Sequence, residues 1–128
     1  MKKSYLCPEC RAVLNPNVKV VFVRNGDARG LILLSAQPGD YRLIVDEDFP
    51  LEKGDLCEFH CPVCSASLTS KRHDHFCELL LDKGEHVPSL VEFSRVYGEH
   101  ATFILDGRDL TAFGEDAEEF DGTNFFGA

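Results

Sequence analysis

Two short motifs carry the chemistry of this chain, Cys7-Pro8-Glu9-Cys10 and Cys61-Pro62-Val63-Cys64. Two thiolates three positions apart can grip one ion only if the backbone turns tightly between them. Proline after the first cysteine presets φ for that turn. Such a turn aims backbone N–H groups at the sulfurs and helps hold their negative charge. Two turns facing each other supply four thiolates, the set that zinc takes in a closed tetrahedral site. One Cys-x-x-Cys alone would fit thiol redox chemistry, but that chemistry wants a helix after the motif to lower the thiol pKa. Arg11-Ala12-Val13-Leu14-Asn15-Pro16 is too short for one. Cys7, Cys10, Cys61 and Cys64 are therefore expected to hold one structural zinc per chain.

The knuckles resemble those of the zinc-ribbon superfamily, with its rubredoxin-like Cys-Pro-x-Cys turns. The resemblance covers the two knuckles and the short strands beside them. It implies that two knuckles at the tips of β-hairpins clamp one metal through the four matching cysteines. Electron-carrying rubredoxins hold iron in the same thiolate set, so iron is the lesser alternative to zinc. The chain departs from the family at two points. Arg11 and Ser65 follow the knuckles, where the family often has glycine at positive φ. Fifty residues separate Cys10 from Cys61, more than a compact ribbon needs. The segment at about 15–56 is expected to form its own small antiparallel sheet.

Further residues invite sharper readings. Cys57 and Cys77 read first as buried small hydrophobes. The sharper reading places His73, His75 and Cys77 on one face of a strand and joins them with Cys57 in a second, mixed metal site. Cys57 standing in for a knuckle cysteine is a further alternative. Lys71-Arg72-His73 is the one basic run. It reads as a solvated turn or, alternatively, as a phosphate or nucleic-acid contact, though it lacks the interleaved aromatics of single-strand binders. His60 precedes Cys61 and is placed either beside the metal or in solvent. His86 and His100 have no partner that the sequence names. There is no Ser-His-Asp order, no glycine-rich phosphate loop and no His-Glu-x-x-His, so no catalytic residue is assigned.

The elements that must position the cysteines read as mainly β. Strands are expected at Val18–Val23, Leu31–Leu34, Tyr41–Val45, Leu56–His60, Phe76–Leu81 and Ala101–Leu105. Asn25-Gly26 is a hairpin signal. Turns are expected at Asn15-Pro16-Asn17, Gln37-Pro38-Gly39-Asp40, Lys53-Gly54-Asp55, Asp82-Lys83-Gly84 and Asp106-Gly107, with an acidic loop at 46–50. At 88–98 the spacing of Leu90, Phe93 and Tyr97 predicts a short helix, with Ser89 and Glu92 as its capping box and Gly98 as its stop. A strand is the rival there. No internal repeat stands out. The domain is expected to span 1–113, with 114–128 a flexible acidic tail. Its Phe120, Phe125 and Phe126 are expected first to pack back on the protein's own sheet, with docking into a basic, apolar groove of a partner, or no role at all, as the alternatives.

The bulk numbers bound the function. The 128 residues fit one domain. No apolar run is long enough for a membrane span, and the N-terminus lacks the apolar core of a secretory signal. The cytoplasm is the expected location. Residues 1–73 carry net charge +1 and residues 74–128 carry −10. That acidity argues against nucleic acid as a partner. The leading expectation is a non-enzymatic binding module that zinc stabilises and that contacts another macromolecule, by preference a protein. The alternatives are an enzyme or sensor built on the second site, and a nucleic-acid-binding ribbon.

Overall fold

β-Branched and aromatic residues in short runs, separated by Gly- and Pro-containing turns, favour strands over helices. The computed structural model describes residues 4–14, 18–25, 28–35, 43–45, 49, 51–71, 73–84, 87–107 and 109–120. Its strands are β1 (Ser4–Leu6), β2 (Val18–Asn25), β3 (Ala28–Ser35), β4 (Leu43–Val45), β5 (Glu58–His60), β6 (Phe76–Asp82), β7 (Ser89–Ser94), β8 (Thr102–Asp106) and β9 (Asp109–Phe113). A short 3₁₀ turn, Ala117–Phe120, follows. The fold is mainly β, as expected. No helix among the described residues is long and apolar enough to cross a membrane.

The strands form two antiparallel sheets. One runs in the order β1-β6-β7-β8-β9 and the other in the order β4-β3-β2-β5. The residues inserted between the knuckles thus contribute β2, β3 and β4 to the second sheet. β2 and β3 pair from Val18↔Ser35 to Asn25↔Ala28. The pairing closes at Asn25↔Ala28, and Gly26 and Asp27 lie outside the described residues. So do the expected turns at 15–17 and 37–40, most of the acidic loop, Arg72, His86, and Phe125 and Phe126 of the tail. Gly30 is the one glycine inside a strand whose small size is needed. A Cβ there would come within 2.5 Å of the Phe49 ring.

The segment after Pro88 is a strand, not the helix that its spacing predicts. Leu90, Phe93 and Tyr97 do lie at helical intervals, but six residues are too few to separate a helical period from an alternating one. The neighbours decide. β7 pairs along its length with β6, from Phe76↔Ser94 to Leu81↔Ser89, and with β8 on its other edge. Val91 and Phe93 then face one core while Leu90 faces the other. Gly98, expected as the stop of that helix, instead sits in a turn at φ 89°.

Alternation along the first sheet divides the core in two. Leu79, Leu81, Val91 and Phe93 face the second sheet and meet Val23, Ile32 and Phe59. On the opposite face Phe76, Phe103 and Leu105 meet Ala117 and Phe120 of the 3₁₀ turn. Phe120 lies 5.0 Å from Phe76 and 5.2 Å from His75, centroid to centroid. His100 helps hold this segment down. Its Nδ1 lies 3.0 Å from Glu115 Oε1, and its backbone N–H donates to Asp116 at 2.8 Å.

Candidate metal centre

β6 positions both knuckles. Its outer edge is shared: β1, which leads into the first knuckle, pairs with Leu80–Asp82. Thr69, just after the second knuckle, pairs with Cys77. The Glu78 amide also donates to the Leu68 carbonyl at 2.7 Å. The second knuckle is fed by β5, the edge strand of the other sheet. The site therefore lies where an edge of each sheet comes together.

The two knuckles are built alike, residue for residue. In the first, the Arg11 amide donates to the Cys7 carbonyl at 2.9 Å, and the Cys7 amide donates to the Ala12 carbonyl at 3.0 Å. In the second, Ser65 donates to Cys61 at 2.9 Å and Cys61 to Ala66 at 3.0 Å. Outside these, Leu14 donates to Tyr5 and Leu68 to Phe59, both at 2.8 Å. This equivalence exposes a ten-residue repeat. Tyr5-Leu-Cys-Pro-Glu-Cys-Arg-Ala-Val-Leu14 matches Phe59-His-Cys-Pro-Val-Cys-Ser-Ala-Ser-Leu68. The expectation of no internal repeat is thereby corrected: besides the cysteines and prolines, a leading aromatic, an Ala and a closing Leu recur at matching positions.

Arg11 and Ser65 take φ 64° and 66°, the only positive values at non-glycine residues among those described. These are the two positions where the resemblance led one to expect glycine. The substitution changes the residue and keeps the backbone conformation.

The four sulfurs meet. Cys7 Sγ lies 3.8 Å from Cys64 Sγ, and Cys10 Sγ lies 3.7 Å from Cys61 Sγ. All four are within 4.8 Å of one another. A metal about 2.3 Å from each sulfur at the centre of a regular tetrahedron sets edges of about 3.8 Å. The thiols are therefore spaced for a tetrahedral ion such as zinc. Cys7 and Cys61 are buried at 0% exposure, while Cys10 and Cys64 face outward. Backbone amides serve the buried pair. Glu9 and Cys10 donate to Cys7 Sγ at 3.4 and 3.5 Å, and Val63 and Cys64 donate to Cys61 Sγ at 3.3 and 3.5 Å.

Charge at the site is shared unevenly. Burial pushes the Cys7 thiol up to about 12. Burial also opposes the Cys61 thiolate, but the amides of Cys64 and Val63 and the neighbouring thiols outweigh it, and Cys61 lies below its ordinary value. Two amides and the neighbouring thiols thus favour negative charge on Cys61, while the two amides at Cys7 do not offset its burial. Four thiolates at this spacing need a cation among them.

The other expected ligands do not join this cluster. Cys57 and Cys77 are buried in the core between the sheets, and Cys57 is pushed up to about 11 by burial and then by Asp55. His75 lies on the other face of the first sheet, against Phe76 and Phe120. The alternation argument for a mixed second site fails because β6 begins only at Phe76, so residues 73–75 belong to the preceding turn. Among the described residues, the knuckle cysteines are the one group of three or more potential ligands drawn together this closely. His60 does not reach the sulfurs. Its Nδ1 lies 3.2 Å from the Ser65 carbonyl and its Nε2 3.0 Å from Glu58 Oε1. It braces the second knuckle from outside.

Compared with protein-family models, with characterised proteins and with solved structures, the chain has no significant match.

Proposed function

We propose that this protein is a zinc-stabilised, non-enzymatic binding module of the zinc-ribbon type, contacting another macromolecule, by preference a protein. The observation that carries the proposal is the set of four sulfurs within 4.8 Å of one another. Four protein ligands fill a tetrahedron and leave no position for a substrate, which is the property of structural rather than catalytic zinc. The left-handed residues after each knuckle support the zinc-ribbon reading. Six free thiols suit a reducing compartment, and the cytoplasm is the proposed location. The step from scaffold to partner rests on how such folds are used. The net charge of −10 over residues 74–128 favours a basic protein surface over a phosphate backbone.

Metal analysis of the purified protein tests the scaffold. One zinc per chain in a colourless protein is expected. Strong visible absorption from a ferric thiolate site would assign iron instead. An intact fold with no metal and four reactive thiols overturns the proposal. Cross-linking in the native cell, followed by mass spectrometry, tests the binding role. Recovery of a protein partner is expected, and recovery of nucleic acid alone favours the ribbon that binds it.

A further inference from the structure

On the face of the first sheet that carries Phe76 and Phe120, a cavity of about 570 Å³ is lined by Lys71, His73, Asp74 and His75 around the edges of the two rings. That volume falls within the usual range for ligand sites. Three of these side chains are metal ligands by chemistry, and the turn that carries them is pinned at several points. Ser70 donates its backbone N–H to the Phe76 carbonyl at 2.8 Å, and Phe76 donates to the His73 carbonyl at 3.0 Å. The His73 amide donates to Ser70 Oγ at 3.3 Å, and that hydroxyl donates to the buried Glu92 at 2.7 Å. The Arg95 guanidinium donates to the carbonyl of Asp74, and its backbone amide donates to that of His75 at 3.0 Å.

His75 is held as a ligand is held. Its Nε2 lies 2.7 Å from Glu99 Oε1, and Ser94 Oγ donates to the same oxygen at 2.5 Å. An ionised carboxylate only accepts, so Nε2 carries a proton. An imidazole whose one N–H is fixed by a carboxylate is the arrangement that orients metal-bound histidines. Lys71, on the rim, is paired with Glu9 of the first knuckle at 3.3 Å.

We propose that this cavity is a second, exchangeable site for a divalent transition metal, with the His73 and His75 imidazoles and the Asp74 carboxylate as ligands and water completing the shell. Imidazole selects zinc, nickel or copper over magnesium and calcium. The three ligand groups are not gathered within 4.8 Å as the four thiols are. The ion must draw them in by rotating side chains on an open rim. That reorganisation makes the site weaker than the knuckle site, so it fills and empties while the structural ion stays. Glu99 and Ser94 are positioning residues.

The test is calorimetric titration of the zinc-loaded protein with nickel(II). One further equivalent is expected, with affinity in the micromolar range. His73→Ala and His75→Ala should each abolish it while metal analysis still finds one zinc per chain. Glu99→Gln should weaken it about 10-fold or more, as loss of an outer carboxylate typically does. Cobalt(II) added to the zinc-loaded chain should give weak d–d bands without thiolate charge transfer. No second equivalent up to millimolar nickel overturns the proposal, and so does a second equivalent that survives both histidine substitutions. If His75→Ala fails to fold, His73→Ala decides. The retained zinc is measured separately, so failure here leaves the knuckle site standing, and the reverse also holds.

Discussion

Arg11 and Ser65 hold a conformation that L-residues avoid, at φ 64° and 66°. The left-handed region costs a residue with a Cβ about 1–2 kcal/mol. Glycine removes that cost, while its extra freedom in the unfolded chain takes back about 0.5–1 kcal/mol. The first effect is the larger. Arg11→Gly and Ser65→Gly are therefore expected to stabilise the metal-loaded protein by up to about 1 kcal/mol, and Ser65→Val to destabilise it by at least as much. Thermal melts measure both, and a clear loss on either glycine substitution contradicts the account. The Cys57 thiol sets a different expectation, in pH. Burial raises it from 9.0 to about 11. The folded state thus holds this proton more tightly than the unfolded one. Its contribution to stability is complete below pH 9 and is lost as pH rises through 11. Cys57→Ala should keep the metal and flatten that part of the stability profile. A profile between pH 9 and 11 as steep in the variant as in the wild type would show that another group controls it.

Among the elements, the 3₁₀ turn Ala117–Phe120 is where sequence reasoning had least to work with. Its acidic composition reads as a tail whose phenylalanines pack back on the protein or dock on a partner, and Phe120 packs edge-on against Phe76 and Phe103 at 5.0 and 6.1 Å. Full burial of a phenylalanine stabilises by about 1.5–3 kcal/mol, and Phe120 is only partly buried. Phe120→Ala is expected to cost about 1–2 kcal/mol, read as a lower denaturant midpoint at unchanged zinc content. An unchanged midpoint would mean that the ring contacts do not hold in solution. The four cysteines were legible because each half-site is local, four residues long, and useless without its twin. The apolar strands β2, β3, β6 and β8 were legible from their β-branched and aromatic runs. β1 and β9 were not. β1 has three residues, and β9 is exposed at four of its five positions, so neither shows a hydrophobic alternation. β7 was ambiguous because only its partners on both edges distinguish its period. The cavity was half legible. Lys71, His73 and His75 stand out as a run, but Phe120 reaches them from 45 residues further along the chain.

At the scale of the whole molecule, the four-thiol cluster lies at a seam between the two sheets. β1 and β5 are strands of three residues at the edges of different sheets, and each is too short to be held firmly by its own ladder. Cys7, Leu14, Cys61 and Leu68 fill one end of the core between the sheets, and they are the residues that the knuckles carry in. An ion held by the four thiols would therefore join the two sheets at these short edges. Zinc binding in small zinc-folded peptides is worth about 10 kcal/mol or more, well above what two three-residue ladders supply. β7 and β8, by contrast, are paired on both edges and buried without help from the site. Removing the ion should therefore open the molecule from one end. After chelation, hydrogen exchange is expected to lose protection first in 4–14 and 57–70. The β7–β8 ladder, from Leu90↔Leu105 to Phe93↔Thr102, should keep its protection longest. Exchange followed by mass spectrometry of peptides resolves these segments. Simultaneous loss everywhere would make the ion a support of the global fold rather than of the seam. Unchanged protection at the knuckles would remove its structural role altogether.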